Sequence, residues 1–409
     1  MGIQIRPATP DEFELLHATV ATAFGEAPSE RFVEQLRRLV PPERTLCAFD
    51  GPALVAGMNV LPLRVRWGDG WLPMGGVSGV GTLPTHRRQG LLRSLMERAL
   101  AEMHERGEMA AILYASLAAI YHRYGYGVAT AQQRMDARRD AFRWLDDDRP
   151  GGRVRLVQAA AAASQLGPVY ERWAELRTLA LARTPEWWRL GVLNPPELEQ
   201  QALLTALHEG RDGPDGYVLY RMAQGAEGGD LADGWPPHQR LVVRELVATR
   251  PAAYRALWDY LLRYDLVDTY RVTHAPADDP LFHMVQDPRH LNGVVHDGLY
   301  MRPLNCRALV EGRRYGGDGR LVLELRDPLC RWNDGRWLLE ADSGGARFER
   351  TELEPELWLE VGAFATLVSG CAGAGRLAAA GRVRASDDAI ELAERLFRVA
   401  RAPFCADGF

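Results

Sequence analysis

Val80 to Met96, VGTLPTHRRQGLLRSLM, is the stretch that decides how this chain is read. It is a strand that runs into a turn bearing arginines and a glycine, and then straight into a helix. The first turn of a helix has backbone N–H groups with no intrahelical partner, and its aligned peptide dipoles make that end positive, so the arrangement suits a pyrophosphate. Gly90 has no Cβ to hold a diphosphate away, and Arg87 and Arg88 can add charge-assisted hydrogen bonds. The following LLRSLMERALAEMHERG carries apolar residues at helical spacing, with Gly107 as its stop. The turn lacks the Gly-Lys-Ser/Thr of a Walker loop and the GxGxxG of a dinucleotide turn. An RxxG alone would fit an ordinary strand–helix junction with surface arginines; the whole ordered segment argues for the anion.

The rest of the composition bounds the answer. A chain of 409 residues exceeds one ordinary core, which predicts two or three domains. With 47% hydrophobic and 25% charged residues and a net charge of -5, it is neither a disordered chain nor a general nucleic-acid binder, and small cationic partners are mildly favoured. No apolar run approaches the ~20 residues of a membrane span, and MGIQIRPATPDEFELL places Asp and Glu where a signal peptide needs apolar residues. A cytoplasmic protein without stable membrane insertion is expected. The five cysteines, Cys47, Cys306, Cys330, Cys371 and Cys405, are scattered without metal-ligand spacing, so neither disulfides nor a metal site is expected.

Three regions follow one another. The first, residues 1–150, is a mixed α/β pattern: a strand at IQIRP, a helix from Asp11, a second helix near SERFVEQLRRLV, and alternation through ALVAGMNVLPLRVRW before a WGDGW turn. The motif strand and helix come next, then AAILYAS as a buried strand and LAAIYHRYG as a short helix. DDDRPGG at 146–152 has the composition of a linker. Residues 151–302 look like a worn copy of the first region, with RLVVRELVATRPAAYRALWDYLLRYD as strand, turn and amphipathic helix. Setting Thr85 against Thr249 puts Tyr254 where Gly90 stands and Pro251 where Arg87 stands, so the copy is expected to hold no pyrophosphate. Residues 303–409 change texture to strands, with turns at YGGDG, WNDG and DSGG, and then helices at EVGAFATLVSG and SDDAIELAERLFRVA. Asn333-Asp334-Gly335 predicts a tight hairpin, and the region an α+β layer domain.

The spacing of Arg87, Gly90 and the two apolar residues after it resembles the acetyl-CoA signature of the GNAT acetyltransferase superfamily. Direct N-acetylation needs a site for the thioester, a base for the incoming ammonium and an acid for the leaving thiolate. The strand backbone at Val80 and Thr82 can pair with a pantetheine arm, and one of its N–H groups can polarise the acetyl carbonyl. For the acid, IYHRYGYG offers Tyr121, Tyr124 and Tyr126, and a phenol with a pKa of about 10 is protonated at neutral pH. Each tyrosine is about as easily a core residue. Tyr121, on a helix from Leu117 to Tyr124, can point toward the CoA, whereas Tyr126 belongs to the next strand. Cys47 has no His/Asp partners that would support a covalent intermediate.

GVGTLPTHRRQGLLRSLM, then IYHRYGYGVAT, then a terminal phenylalanine together resemble the Eis (enhanced intracellular survival) family of bacterial acetyltransferases over essentially the whole chain. The resemblance implies an α/β, or mixed α+β, fold of two tandem GNAT-like domains, the second degenerate, followed by a sterol-carrier-protein-like domain. It implies a homohexamer that uses acetyl-CoA as co-substrate and acetylates amines of aminoglycosides or lysine side chains. It carries the catalytic pair over to Tyr121 and the terminal carboxylate of Phe409. CoA contacts fall on Val80, Thr82, Arg87, Arg88, Gly90, Leu91 and Ser116, and acceptor contacts on Phe24, Glu26 and Asp407. The acidic positions expected around the amine pocket are not clearly matched, since Gly408 is penultimate. A terminal carboxylate of pKa about 3.5 is a feeble base unless burial raises it or a water relays the proton. A rival reading is a lipid- or ligand-binding protein with a structural CoA site, and longer acyl chains are a further alternative.

Overall fold

The computed structural model describes residues 2–148, 150–196, 202–223, 239–342 and 344–409. The chain forms two compact units, Met1–Thr130 with Gly298–Phe409, and Ala131–Asp297. The first unit opens with β1 (Gln4–Arg6), α1 (Phe13–Phe24), α2 (Glu30–Leu39), β2 (Thr45–Asp50), β3 (Ala53–Trp67) and β4 (Gly70–Thr82). It continues through α3 (Leu91–Glu105), β5 (Ala110–Tyr114), α4 (Ala118–Tyr121) and β6 (Gly127–Val128). The WGDGW turn closes the long β3–β4 hairpin, with Trp67 opposite Gly70. In α3, Leu91, Leu95, Met96, Ala99, Leu100 and Met103 are buried, the one-sided apolar stripe that seats a helix on a sheet.

The first sheet has seven strands, and one of them comes from far along the chain. Leu299–Pro303 lies between β5 and β6 and pairs antiparallel with both.

The second unit contains β7 (Ala131–Arg138), β8 (Arg153–Leu156), α5 (Ala159–Ala174), α6 (Pro185–Trp187), β9 (Leu204–Gly210), β10 (Gly213–Met222), β11 (Gln239–Ala248), α7 (Pro251–Leu261), β12 (Val267–Pro276) and β13 (Val294–Asp297). Its sheet runs β13-β7-β12-β11-β10-β9-β8. The parallel pair β11 and β12 around α7 repeats the arrangement of β4, α3 and β5. The connections differ: residues 83–90 join β4 to α3, whereas only residues 249–250 join β11 to α7. The helix cap equivalent to Gly90 is therefore Arg250, with φ −135°. Tyr254 lies inside α7 rather than in a turn, and its hydroxyl donates to Asp279 Oδ1 at 2.6 Å. The residue-by-residue pairing drawn from the sequence is thus displaced, because the whole turn has been shortened.

The two compact units part at 130/131 and 297/298. Strand pairing sets this: β7 joins the second sheet and Leu299–Pro303, hereafter β14, joins the first. The 146–152 run falls inside the second unit, and its Arg149 lies outside the described residues.

After β14 come α8 (Cys306–Glu311), β15 (Gly319–Arg326), β16 (Gly335–Asp342), β17 (Gly345–Arg350), β18 (Leu357–Glu360), α9 (Val361–Ser369), α10 (Ala374–Ala379), β19 (Val383–Ala385) and α11 (Asp387–Phe397). Their strands form a separate five-stranded sheet, β17-β16-β15-β18-β19. The tight hairpin expected at Asn333-Asp334-Gly335 is not formed: residues 327–334 join β15 to β16, and Gly335 already pairs with Leu325. Asn333 is instead buried, its amide donating to the Pro303 carbonyl and to Asp327. Asp327 in turn takes both ends of the Arg302 guanidinium, at 2.7 and 2.9 Å, with neither side chain exposed. A buried pair of this kind ties β14 to the C-terminal region, because removing one partner would strand a charge in the core.

Candidate active site

The turn between β4 and α3 has the form its sequence predicts. Pro84–His86 makes a short 3-10 turn, Arg88 has φ +64°, and Gly90 caps α3 with φ +81°. That left-handed backbone is what the glycine supplies, since a Cβ there would meet no other atom within 4 Å. The first intrahelical bond runs from the Ser94 N–H to the Gly90 carbonyl at 3.0 Å, which leaves the N–H groups of Leu91, Leu92 and Arg93 free of helical partners. Leu91 has its side chain in the core, so any CoA contact it makes is through its backbone. Arg87 and Arg88 are exposed. Arg87 is also tied down: its guanidinium donates to the carbonyls of Ala23 at 2.8 Å and Thr82 at 3.4 Å, stitching the turn to the end of α1.

Beside this turn the sheet opens. β4 and β5 pair in parallel only from Met74–Gly76 to Ala110–Ile112, after which both strands continue unpaired with each other. On its other edge β4 carries a bulge, where pairing steps from Asn59↔Ser78 to Gly57↔Gly81. Gly79 sits in the bulge at φ +58°, with the Asn59 amide in the space its side chain would need. Asn59 is buried and its Oδ1 has no hydrogen-bond partner. Val80 packs against the core, and Thr82 pairs with Ala56. The strand edge facing the gap is therefore held by β3 and free toward β5, as a backbone-pairing site for an extended ligand requires.

Tyr121 is the last residue of α4, 6% exposed, and its ring meets Tyr126 edge-on at 5.7 Å. Burial, then Tyr124, pushes its phenol above the ordinary value, so it is protonated across the neutral range. Tyr126 is a core residue whose hydroxyl lies 3.6 Å from Met96 Sδ. The segment carrying these tyrosines is braced from the C-terminal region. Gly127 packs against the backbone of Gly362 in α9, and a side chain at Gly125 would run into Arg302 and Val361. Ser116 is exposed in the turn between β5 and α4.

The C-terminal tail docks at the same end of the sheet. Phe404, Cys405 and Asp407 are buried, Gly408 is exposed and Phe409 is half-buried. The Phe409 ring meets Tyr114, the last residue of β5, edge-on at 5.5 Å. It also covers Gly76, the last β4 residue paired with β5, where an added Cβ would lie 3.2 Å from Phe409 Cε2. The Tyr114 hydroxyl donates to the Asp407 carbonyl at 2.9 Å and is 3.3 Å from that of Cys405. The tail thus packs on Tyr114, and the helix that carries Tyr121 begins four residues later.

Phe24 ends α1 at 47% exposure, and Glu26 is exposed in the loop that follows, three residues after Ala23, whose carbonyl accepts from Arg87. Asp407 is 5% exposed and sits in the docked tail. On α1, His17 accepts from the Ser29 N–H at 2.9 Å and stacks on Phe32; burial lowers its pKa against the opposing pull of Glu26. Tyr114, Gly76, the Gly79–Asn59 bulge and His17 were not singled out by sequence reasoning. Tyr114 reads there as one more apolar position of a buried strand, and only the tail's position gives it a purpose.

Residues 4–129 and 179–303 each match an acetyltransferase (GNAT) domain family, and residues 306–406 match the sterol carrier protein domain. An uncharacterized N-acetyltransferase of Streptomyces avermitilis is 33% identical, with 100% of both chains covered. The N-acetyltransferase Eis of Mycobacterium bovis is 31% identical over 100% of this chain and 98% of its own. The crystal structure of Eis1 from Mycobacterium abscessus superposes with a TM-score of 0.85 at 32% identity, covering 99% of this chain and 100% of that one.

Proposed function

This chain belongs to the Eis family of GNAT N-acetyltransferases, and from that premise we propose that it moves the acetyl group of acetyl-CoA directly to a primary amine. The observation that carries this reading is the docking of the C-terminal tail on Tyr114, where β4 and β5 part and immediately before the helix of Tyr121. The turn from Arg87 to Leu91 would hold the pyrophosphate, with Arg88 and the free N–H groups at the start of α3 as donors. Arg87 would act chiefly by fixing that turn to α1. Val80 and Thr82 would pair with the pantetheine arm and Ser116 would face it, while a β4 N–H would polarise the thioester carbonyl.

The terminal carboxylate of Phe409 would take a proton from the ammonium, directly or through a water, before the amine nitrogen attacks the thioester carbon. As the C–S bond breaks, the Tyr121 hydroxyl would give its proton to the sulfur. Its raised pKa keeps that proton available throughout the neutral range. Phe24, Glu26 and Asp407 would border the acceptor, for which amines of aminoglycosides, lysine side chains or polyamines are the proposed class. The second GNAT domain would bind no CoA, because residues 249–250 leave no turn to hold a pyrophosphate. A cytoplasmic homohexamer is the proposed working form.

The test is thiol release from acetyl-CoA with aminoglycosides, polyamines and lysine peptides, with each product weighed by mass spectrometry. Acetylated amines and no acetyl-enzyme are expected. Absence of thiol release across the panel, with lipid co-purifying in native mass spectra, would favour lipid carriage instead.

A further inference from the structure

We propose that Tyr114 is a positioning residue for the terminal carboxylate, holding the tail by its hydroxyl and the last side chain by its ring. This rests on the reading that the Phe409 carboxylate is the base. Gly408, the one residue between Asp407 and Phe409, is exposed and has the freest backbone of any residue type. The carboxylate is therefore only as well placed as the two ends of that glycine. At one end, the Asp407 carbonyl accepts from the Tyr114 hydroxyl at 2.9 Å and from the Cys405 thiol at 3.5 Å. At the other, the Phe409 ring meets the Tyr114 ring at 5.5 Å and rests on Gly76.

One side chain thus contacts both sides of the flexible link, and it stands at the end of β5, where Tyr114 pairs with Leu299 of β14. A tail held only by the burial of Phe404, Cys405 and Asp407 would leave its last two residues without a hydrogen bond to a fixed strand. With Tyr114 in place, the tail is held at the Asp407 carbonyl and again at the Phe409 ring. A general base needs this because proton transfer demands hydrogen-bond reach in a defined direction.

Tyr114→Phe keeps the ring against Phe409 and removes the hydroxyl. Four proteins are compared: the full chain, Tyr114→Phe, the chain ending at Gly408, and the two changes combined. Tyr114→Phe is expected to lower kcat about five- to tenfold, the worth of a net hydrogen bond or slightly more, with KM for acetyl-CoA within about twofold. Carboxypeptidase should trim Phe409 faster from Tyr114→Phe than from the full chain. In the chain ending at Gly408, adding Tyr114→Phe should lower kcat no further. Normal kcat and trimming in Tyr114→Phe, or an additive loss in the combined variant, would overturn the positioning role. Undiminished kcat in the chain ending at Gly408 would instead remove the base assignment on which that role rests, whatever Tyr114→Phe does.

Discussion

Gly90→Ala isolates what the glycine in the pyrophosphate turn contributes. At φ +81° the added Cβ meets no atom within 4 Å, so the substitution costs nothing sterically against neighbours and is opposed only by the backbone. A left-handed non-glycine residue costs about 1–2 kcal/mol. Two responses are open to the chain. If the substituted alanine stays left-handed, the cost falls on folding, less about 0.4–1 kcal/mol regained because alanine restricts the unfolded chain. If the turn relaxes, stability is kept but the N–H groups of Leu91, Leu92 and Arg93 no longer converge, and acetyl-CoA binding weakens by roughly 5- to 30-fold, the equivalent of about 1–2 kcal/mol. Denaturant midpoints and acetyl-CoA affinity by calorimetry should therefore show the loss in one channel or shared between both. Gln89→Ala, exposed in the same turn, should show it in neither. If Gly90→Ala leaves both stability and affinity as they were, the turn does not depend on its left-handed cap.

Two further outcomes follow from the fold. A fragment ending at residue 150 lacks β14, so β5 and β6 lose their common partner; it should give no cooperative thermal transition, and a sharp transition by circular dichroism would contradict the strand assignment. His17 has its pKa lowered by burial and accepts the Ser29 N–H at the start of α2. The unfolded chain therefore binds the proton first, and this contribution to stability is fully present above the ordinary histidine value of about 6.5 and lost as pH falls through the folded value. His17→Gln should flatten that part of the stability–pH curve, and an unchanged slope would rule His17 out as its source.

The sequence was most legible where chemistry and periodicity coincide. Strand, left-handed turn and amphipathic helix at Val80–Met96 declare themselves because glycine, arginine and apolar spacing each have a local cause. The β3–β4 hairpin was readable for the same reason. What stayed hidden is non-local. Nothing in Leu299–Pro303 says that it will lie between β5 and β6, because a buried strand looks alike in any sheet. Asn333-Asp334-Gly335 has the residues of a tight hairpin, but the buried Arg302–Asp327 pair and its bonds to Asn333 claim that segment for a longer connection. The shortened turn before α7 was masked by matching threonines, since an ungapped comparison cannot register a deletion. The aromatic end after PFCADG argues for docking, but a role for Phe409 came only through family resemblance and Tyr114 had none at all, since a chain end acquires meaning from where it docks.

The most direct test of the account is steady-state kinetics of the chain carrying one extra glycine after Phe409, set beside the unmodified chain. The Phe409 side chain stays available to Tyr114 and Gly76, while its carboxylate becomes a peptide carbonyl that takes no proton. The account predicts a fall in kcat of at least about a hundredfold, the lower range for a lost general base, with acetyl-CoA affinity retained. Turnover near that of the unmodified chain would show that the terminal carboxylate is not the base.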